Sequence, residues 1–483
     1  MGLDNNRFDI IIIGGGVTGC AIARDLSYYD IKVCLLEKTS FVCSGQSKAN
    51  GGHIHAGFNP KPNTLKAKLN VEGNKMIPDF CSQLGVPFKR IGSLVIITDP
   101  ADITILEQLL ERAKLNGAPR VRIIDKAQLL KQEPNLSSNV FAALWAEDAG
   151  IVDVFLLTIA LAESAIVNSC KFYFDAEVTG LIKDDKNNVI GVKSRKGKFF
   201  SKLVINCAGV DSDKIMRMAG LDYFRIAPHK GEYYVFDKNI KGLIKSSLYQ
   251  KPINGGKGVA ILPTIKGNLI MGGTFKIVSD RSDTSTTRDG LKEVLDSATK
   301  VAPFLKHHSH IASYAGIRAM GNTEDFLIEK PDEVGGLINV AGIASPGLTA
   351  APAISKHVLE IIEDKFFKLK KKANPVNNYR IKPLFKDMSE GEKEEAFKKD
   401  PRYGRIICRC ENVTEGDIVN AIHSLLPCTT IDAIKFRTWG GAGRCQGGFD
   451  LPRIIEIIKR ETGVKIQDIT KRGGNSKIIG GVI

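Results

Sequence analysis

Ile10-Ile11-Ile12-Ile13-Gly14-Gly15-Gly16-Val17-Thr18-Gly19 decides the fold. An unbroken β-branched run suits a strand buried on both faces of a parallel sheet, and here it runs straight into G-x-G-x-x-G. Cys20 to Leu26 then has helical spacing, and Ile31 to Leu36 is a second apolar strand closed by Glu37. The order is β-α-β. Glycines let the backbone turn tightly and let a pyrophosphate approach the helix N-terminus, while an acid closing the second strand accepts hydrogen bonds from ribose hydroxyls. A glycine motif alone marks only a tight turn. With strand, helix and acid in register, nucleotide binding is predicted, carried by Gly14, Gly16, Val17, Thr18, Gly19, Glu37 and Lys38. The motif by itself does not choose between NAD and FAD.

The chain around this unit has 483 residues, enough for two or three domains, each with its own core. No apolar run approaches the roughly 20 residues that span a bilayer. The run Phe8 to Ile13 enters glycines where an export signal would have a small-residue cleavage site, so no signal peptide is expected. Ten cysteines without the dense spacing of a secreted scaffold fit a reducing, cytoplasmic setting in which thiols stay free or bind metal. The net charge of +15 is spread along the chain without a nucleic-acid motif, which points to an anionic substrate or acidic partner and not to nucleic acid. Lys365, Lys368, Lys370, Lys371 and Lys372 read as a solvated helix end or linker, with Phe366 and Phe367 on its buried side.

Past Glu37 the sequence reads Ser44-Gly45-Gln46-Ser47-Lys48-Ala49-Asn50-Gly51-Gly52-His53-Ile54-His55-Ala56-Gly57. Further on stand Leu65-Lys66-Ala67-Lys68-Leu69, Lys230-Gly231-Glu232-Tyr233-Tyr234, Gly316-Ile317-Arg318 and Gly342-Ile343-Ala344-Ser345-Pro346-Gly347-Leu348-Thr349. On these segments the chain resembles the D-amino-acid oxidase superfamily of flavoenzymes, with L-2-hydroxyglutarate oxidases and glycerol-3-phosphate dehydrogenases as the relatives it looks most like. The resemblance implies FAD, held by segments far apart in the chain. Beside the first glycine loop it adds Ser47, an adenine-facing backbone contact at Val178, the small residues Ala208 and Gly209, and a late loop of Gly342, Gly347, Leu348 and Thr349 that would aim amides and a helix dipole at the flavin.

Oxidation of a hydroxyl-bearing carbon by a flavin needs a base for the hydroxyl proton and an anchor for the substrate's charge. The resemblance puts the base at His55, beside the flavin, whereas His53 has no counterpart there. Arg318 is the implied fork for a carboxylate or phosphate, although Ala319 follows where relatives have proline. Lys230 is implied at the pocket edge, an exposed lysine being the alternative.

Near the C-terminus a separate unit begins at Ile406-Ile407-Cys408-Arg409-Cys410-Glu411 and runs to about Gly463. Thr414-x-x-Asp417 and Thr429-x-x-Asp432 look like capping boxes, so a small helical fold is expected, with Gly440-Gly441-Ala442-Gly443-Arg444-Cys445-Gln446-Gly447-Gly448-Phe449-Asp450 as its second ligand loop. The unit resembles the bacterioferritin-associated-ferredoxin-like [2Fe-2S] domain. That resemblance implies Cys408, Cys410 and Cys445 as ligands, but the fourth cysteine position holds Asp450. Either Asp450 binds iron, or it caps the helix starting at Leu451, and the two are compatible. Cys428 is a substitute fourth ligand in principle but precedes a predicted helix and reads as packing; if neither residue serves, the unit holds no metal, and zinc is the alternative metal.

The expected architecture is α/β: a Rossmann-like FAD-binding domain with an interleaved antiparallel-sheet substrate domain, plus a small C-terminal helical [2Fe-2S] domain. Residues 1–365 form the flavoenzyme (FAD-binding segments about 1–80, 150–215 and 325–365; substrate domain about 81–149 and 216–324), 366–403 a linker, 404–465 the cluster domain and 466–483 a tail. The implied activity is an FAD-dependent dehydrogenase oxidising sn-glycerol 3-phosphate to dihydroxyacetone phosphate, its electrons passing through the cluster to a second flavoprotein or other acceptor subunit. The alternatives are a 2-hydroxy acid such as L-2-hydroxyglutarate, an amino or imino acid, or a non-catalytic electron-transfer subunit.

Overall fold

Strand β1 (Arg7–Ile13) pairs in parallel with β2 (Val33–Leu36), Ile10 opposite Val33 and Ile13 opposite Leu36, and on its other edge with Gly197–Asn206. Flanked on both sides, its isoleucines are fully or almost fully buried, as a central parallel strand requires. The computed structural model describes residues 6–251 and 258–480; residues 1–5, 252–257 and 481–483, which belong to the expected flavoenzyme and tail spans, lie outside the described residues. Leu337–Ala341 and Lys171–Tyr173 continue the parallel core at its two sides. Val178–Lys183, Val189–Ser194 and Leu327–Glu329 join by antiparallel pairing, making an eight-stranded sheet among the described residues.

Helix α1 (Val17–Leu26) packs on this sheet with Val154–Val167 and Gly347–Lys365. Val154–Val167 is buried on nearly every side, so its sequence is apolar without a polar face. Among the described residues no helix is long and apolar enough to cross a membrane.

A second sheet, nine-stranded among the described residues, carries Ile226–Phe236 paired antiparallel with His310–Gly321 along most of their length, Gly231 opposite Gly316 and Lys230 opposite Ile317. The expected antiparallel character holds except between Ser247–Gln250 and Ser93–Ile97, which run parallel. Lys365, Lys368, Lys370 and Lys371 are exposed at and past the end of helix Gly347–Lys365, as expected of a solvated helix end, and the segment is held by local contacts. Lys371 bridges to Tyr29 and the Lys372 ammonium donates to the Asn168 carbonyl, while Phe366 and Phe367 pack on the core as expected.

In the C-terminal unit a ribbon of Ile406–Cys408 and Val413–Thr414 leads into helices Glu415–Ile422, Ile431–Thr438 and Leu451–Thr462. Thr414 and Asp417 form the expected reciprocal capping box. The second expected box does not form. Helix Ile431–Thr438 starts one residue later than Thr429-x-x-Asp432 implies, with Thr430 accepting from the Ala433 N–H. The unit's apolar residues merge with the core of the first sheet's helices; Phe436 stacks on Phe155 at 4.7 Å between ring centres, and the Trp439 indole donates to Asp153 at 2.9 Å.

Candidate active site and iron-sulfur centre

The first glycine loop is shaped by contacts that exclude side chains. Gly14 has φ +107°, and a Cβ there would meet the Cys207 carbonyl oxygen at 2.4 Å; a Cβ on Gly19 would meet the Gly14 carbonyl oxygen at 2.1 Å. The Gly15 N–H donates to Glu37 Oε2 at 2.7 Å, which holds the acid under the loop, while Glu37 Oε1 takes the Thr39 N–H and hydroxyl. Gly16 cannot cap α1, and Ser47 Oγ accepts the Val17 N–H at 2.9 Å in its place. Lys38 pairs with Asp211 at 2.7 Å. Burial favours the neutral acid, but Lys214 and Lys38 outweigh it and hold the Asp211 carboxyl below its usual range.

These residues open on a cavity of about 1370 Å³. That exceeds the roughly 300–1,000 Å³ of a single small-molecule pocket, as a dinucleotide with a substrate beside it requires. Every residue expected to hold the nucleotide lines it except Gly342 and Thr349. Gly342 turns the chain at φ +67° against Phe224, and Thr349 is fully buried behind the wall. Thr349 Oγ1 accepts the His55 N–H at 2.9 Å, and Asn74 donates to the His55 carbonyl at 2.8 Å, so the backbone that carries His55 is held from both sides. The glycines, the acid and the long cavity fit FAD.

His55 and Arg318 line the same cavity. His55 Nε2 lies 2.9 Å from Ser345 Oγ, and its ring packs edge-on against His53, which is buried and bonds Ser247. Arg318 donates to the Thr274 carbonyl at 3.0 Å and to the Tyr233 hydroxyl at 2.7 Å, and lies over Phe275. Among the described residues it has no acidic partner within 4.0 Å, so the surface salt bridge that would make it structural is absent. Gly231 makes room for it: a Cβ there would meet Arg318 Nη2 at 2.4 Å. Lys230 is neither at the pocket edge nor exposed. Its side chain is buried, is not among the residues that line the cavity, and pairs with Asp283 at 2.7 Å. Tyr249 stands beside both histidines in the cavity wall, a position that nothing in its local sequence signals, and burial pushes its phenol above the ordinary range.

At the second centre Cys408 lies beside Asp450, and Cys410 beside Cys445. The backbone N–H of Glu411 faces the Cys408 sulfur, and those of Phe449 and Gly447 face Cys445. Among the described residues the four side chains stand as two pairs and not as a closed metal group. The capping reading of Asp450 fails. Asp450 is the residue before helix Leu451–Thr462, but its backbone is already helical and its side chain caps nothing. Instead its Oδ2 accepts the Gly441 N–H at 3.1 Å, and its Oδ1 is buried without a partner. Three thiols, one orphaned carboxylate oxygen and N–H groups aimed at sulfur fit a [2Fe-2S] cluster. Cys428 packs in the interior away from this centre, as expected.

Comparison with known proteins agrees with this geometry. Residues 9–361 match the family of FAD dependent oxidoreductases, and residues 406–460 match the BFD-like [2Fe-2S] binding domain. The chain is 43% identical over 98% of its length, and 98% of the relative's, to a glycerol 3-phosphate dehydrogenase of Caloramator mitchellensis. A glycerol 3-phosphate oxidase of Mycoplasma genitalium is 33% identical over 77% of this chain and 98% of its own. The solved structure of dithionite-reduced L-alpha-glycerophosphate oxidase from Mycoplasma pneumoniae with FAD bound superposes with a TM-score of 0.74 at 30% identity, over 78% of this chain and all of that one.

Proposed function

The chain belongs to the FAD dependent oxidoreductase family, with a BFD-like [2Fe-2S] domain behind the flavoenzyme, and on that premise we propose that it oxidises sn-glycerol 3-phosphate to dihydroxyacetone phosphate. The observation that carries this reading is Arg318, a cation without an acidic partner among the described residues, in one cavity with His55. A phosphate is what such a fork accepts, and Tyr233 and the Thr274 carbonyl hold the guanidinium in place for it. His55 accepts the proton of the C2 hydroxyl; its pinned backbone and the Ser345 contact keep the imidazole fixed for that task. Bound FAD supplies the acceptor for the C2 hydride, and a bound [2Fe-2S] cluster an outlet for single electrons. Anaerobic mixing with a panel of glycerol 3-phosphate, hydroxy acids and amino acids tests the reading by which compound bleaches the flavin.

The acceptor in this reading is a protein, a second flavoprotein or electron-carrier subunit, and the setting is cytoplasmic. The exposed Cys410 and the 85%-exposed Phe449 on the cluster loops support a protein docking there, and ten cysteines without a disulfide suit a reducing compartment.

A further inference from the structure

The flavin cavity has a wall that neither matched region contains. Beyond Gly463 the chain returns across the first sheet's loop. Its Thr470 and Lys471 carbonyls accept the N–H groups of Ile431 and Asp432, and the Arg472 carbonyl accepts the Ser40 hydroxyl at 2.9 Å. A tight turn closed by Lys471 N–H on the Ser476 carbonyl and Arg472 N–H on Ser476 Oγ holds this segment, and Gly473 sits directly against Ser40. Arg472 thereby lines the cavity together with Lys48, and with Asp432 and Phe436 of the C-terminal unit.

Four cations gather here: Lys48, Lys435, Lys471 and Arg472. None has an ion-pair partner within 4.0 Å among the described residues, and Asp432 is the acid that faces them. Lys48 is partly buried in this setting. Burial first, then the nearby Arg472 and Lys471, lower its pKa against the pull of Asp432. Like charges collected in a partly buried wall repel unless an anion joins them. The position says which anion. Lys48 follows Ser47, whose hydroxyl occupies the N-terminus of α1, the end of a glycine-loop helix where a dinucleotide diphosphate binds. We propose that Arg472, with Lys48 beside it, binds the diphosphate of FAD, so that the C-terminal tail completes the cofactor site. The FAD-bound oxidase structure covers 78% of this chain, so the tail's part is an addition to a site that relative forms in a shorter chain.

The proposal rests on FAD binding and not on the substrate. The test uses full-length protein stripped of flavin with its cluster retained, and titrates it with FAD by fluorescence quenching and with ADP by competition. Arg472→Ala is expected to weaken FAD and ADP alike by about tenfold or more, about 1.4 kcal/mol, with partial recovery in Arg472→Lys. Lys477→Ala, on the same turn but paired with Asp468, is expected to bind as wild type does, and iron content is expected to be equal in all variants. Three results would overturn the proposal: FAD affinity of Arg472→Ala within twofold of wild type, weaker FAD with unchanged ADP, or Arg472-dependent binding of inorganic pyrophosphate to protein already loaded with FAD. Failure of wild type to take up FAD would overturn the cofactor assignment itself.

Discussion

Asp450 turns its carboxylate away from the helix it precedes and onto Gly441, taking that N–H at 3.1 Å and leaving the other oxygen buried and unpartnered beside Cys408. An orphaned buried carboxylate oxygen costs about 1–3 kcal/mol unless something binds it. Iron beside three cysteines is such a partner.

Asp450→Ser and Asp450→Ala are therefore expected to behave alike, both losing or loosening the cluster, since there is no side-chain cap for serine to preserve. Asp450→Cys is expected to keep the cluster and shift its reduction potential, because thiolate is a softer donor than carboxylate. Iron analysis with EPR of the reduced proteins reads all three.

Arg318→Lys is expected to lower kcat/KM for glycerol 3-phosphate by about tenfold or more while leaving FAD content unchanged, because a point charge replaces a two-pronged donor. Steady-state kinetics with an artificial acceptor measures it.

His55→Ala is expected to slow flavin reduction by about 10²–10⁴-fold with little change in substrate affinity, the range for loss of a general base. Were the substrate an amino acid, which needs no base for a hydroxyl proton, the rate would hardly move. Stopped-flow reduction at several substrate concentrations separates rate from affinity.

Asp213 predicts a pH dependence. Burial disfavours its charge, but Arg281 and the Ile226 N–H outweigh it and lower its pKa, with Arg217 adding to the effect. A carboxyl lowered on folding adds stability above its unfolded value of about 4, and that stability is lost as pH falls toward the lower folded value. Arg281→Leu is expected to cost about 3 kcal/mol near neutrality by leaving a buried carboxylate short of its main partner, and to move acid unfolding to higher pH. Thermal melts between pH 7 and pH 3 follow both effects.

The parts legible in the sequence are those whose causes are local. The β-α-β unit, the Thr414 capping box and the paired cysteine loops are written in neighbouring residues, and the structure forms each of them. What escaped depends on chain segments that meet only in the fold. Lys230 finds Asp283 across a loop, Thr349 serves His55 from behind the wall, and Tyr249 and Arg472 reach the cavity from other elements. Asp450 shows the same limit at one residue, since a favourable capping type was put to another use by Gly441, nine positions away.

The most direct test mixes the oxidised holoenzyme with sn-glycerol 3-phosphate without oxygen, following flavin absorbance by stopped flow and the cluster by freeze-quench EPR. The account predicts flavin bleaching followed by the signal of a reduced [2Fe-2S] cluster, with no such response to L-2-hydroxyglutarate or amino acids. Bleaching by one of those compounds and not by glycerol 3-phosphate, or a cluster that stays EPR-silent after the flavin is reduced, would contradict it.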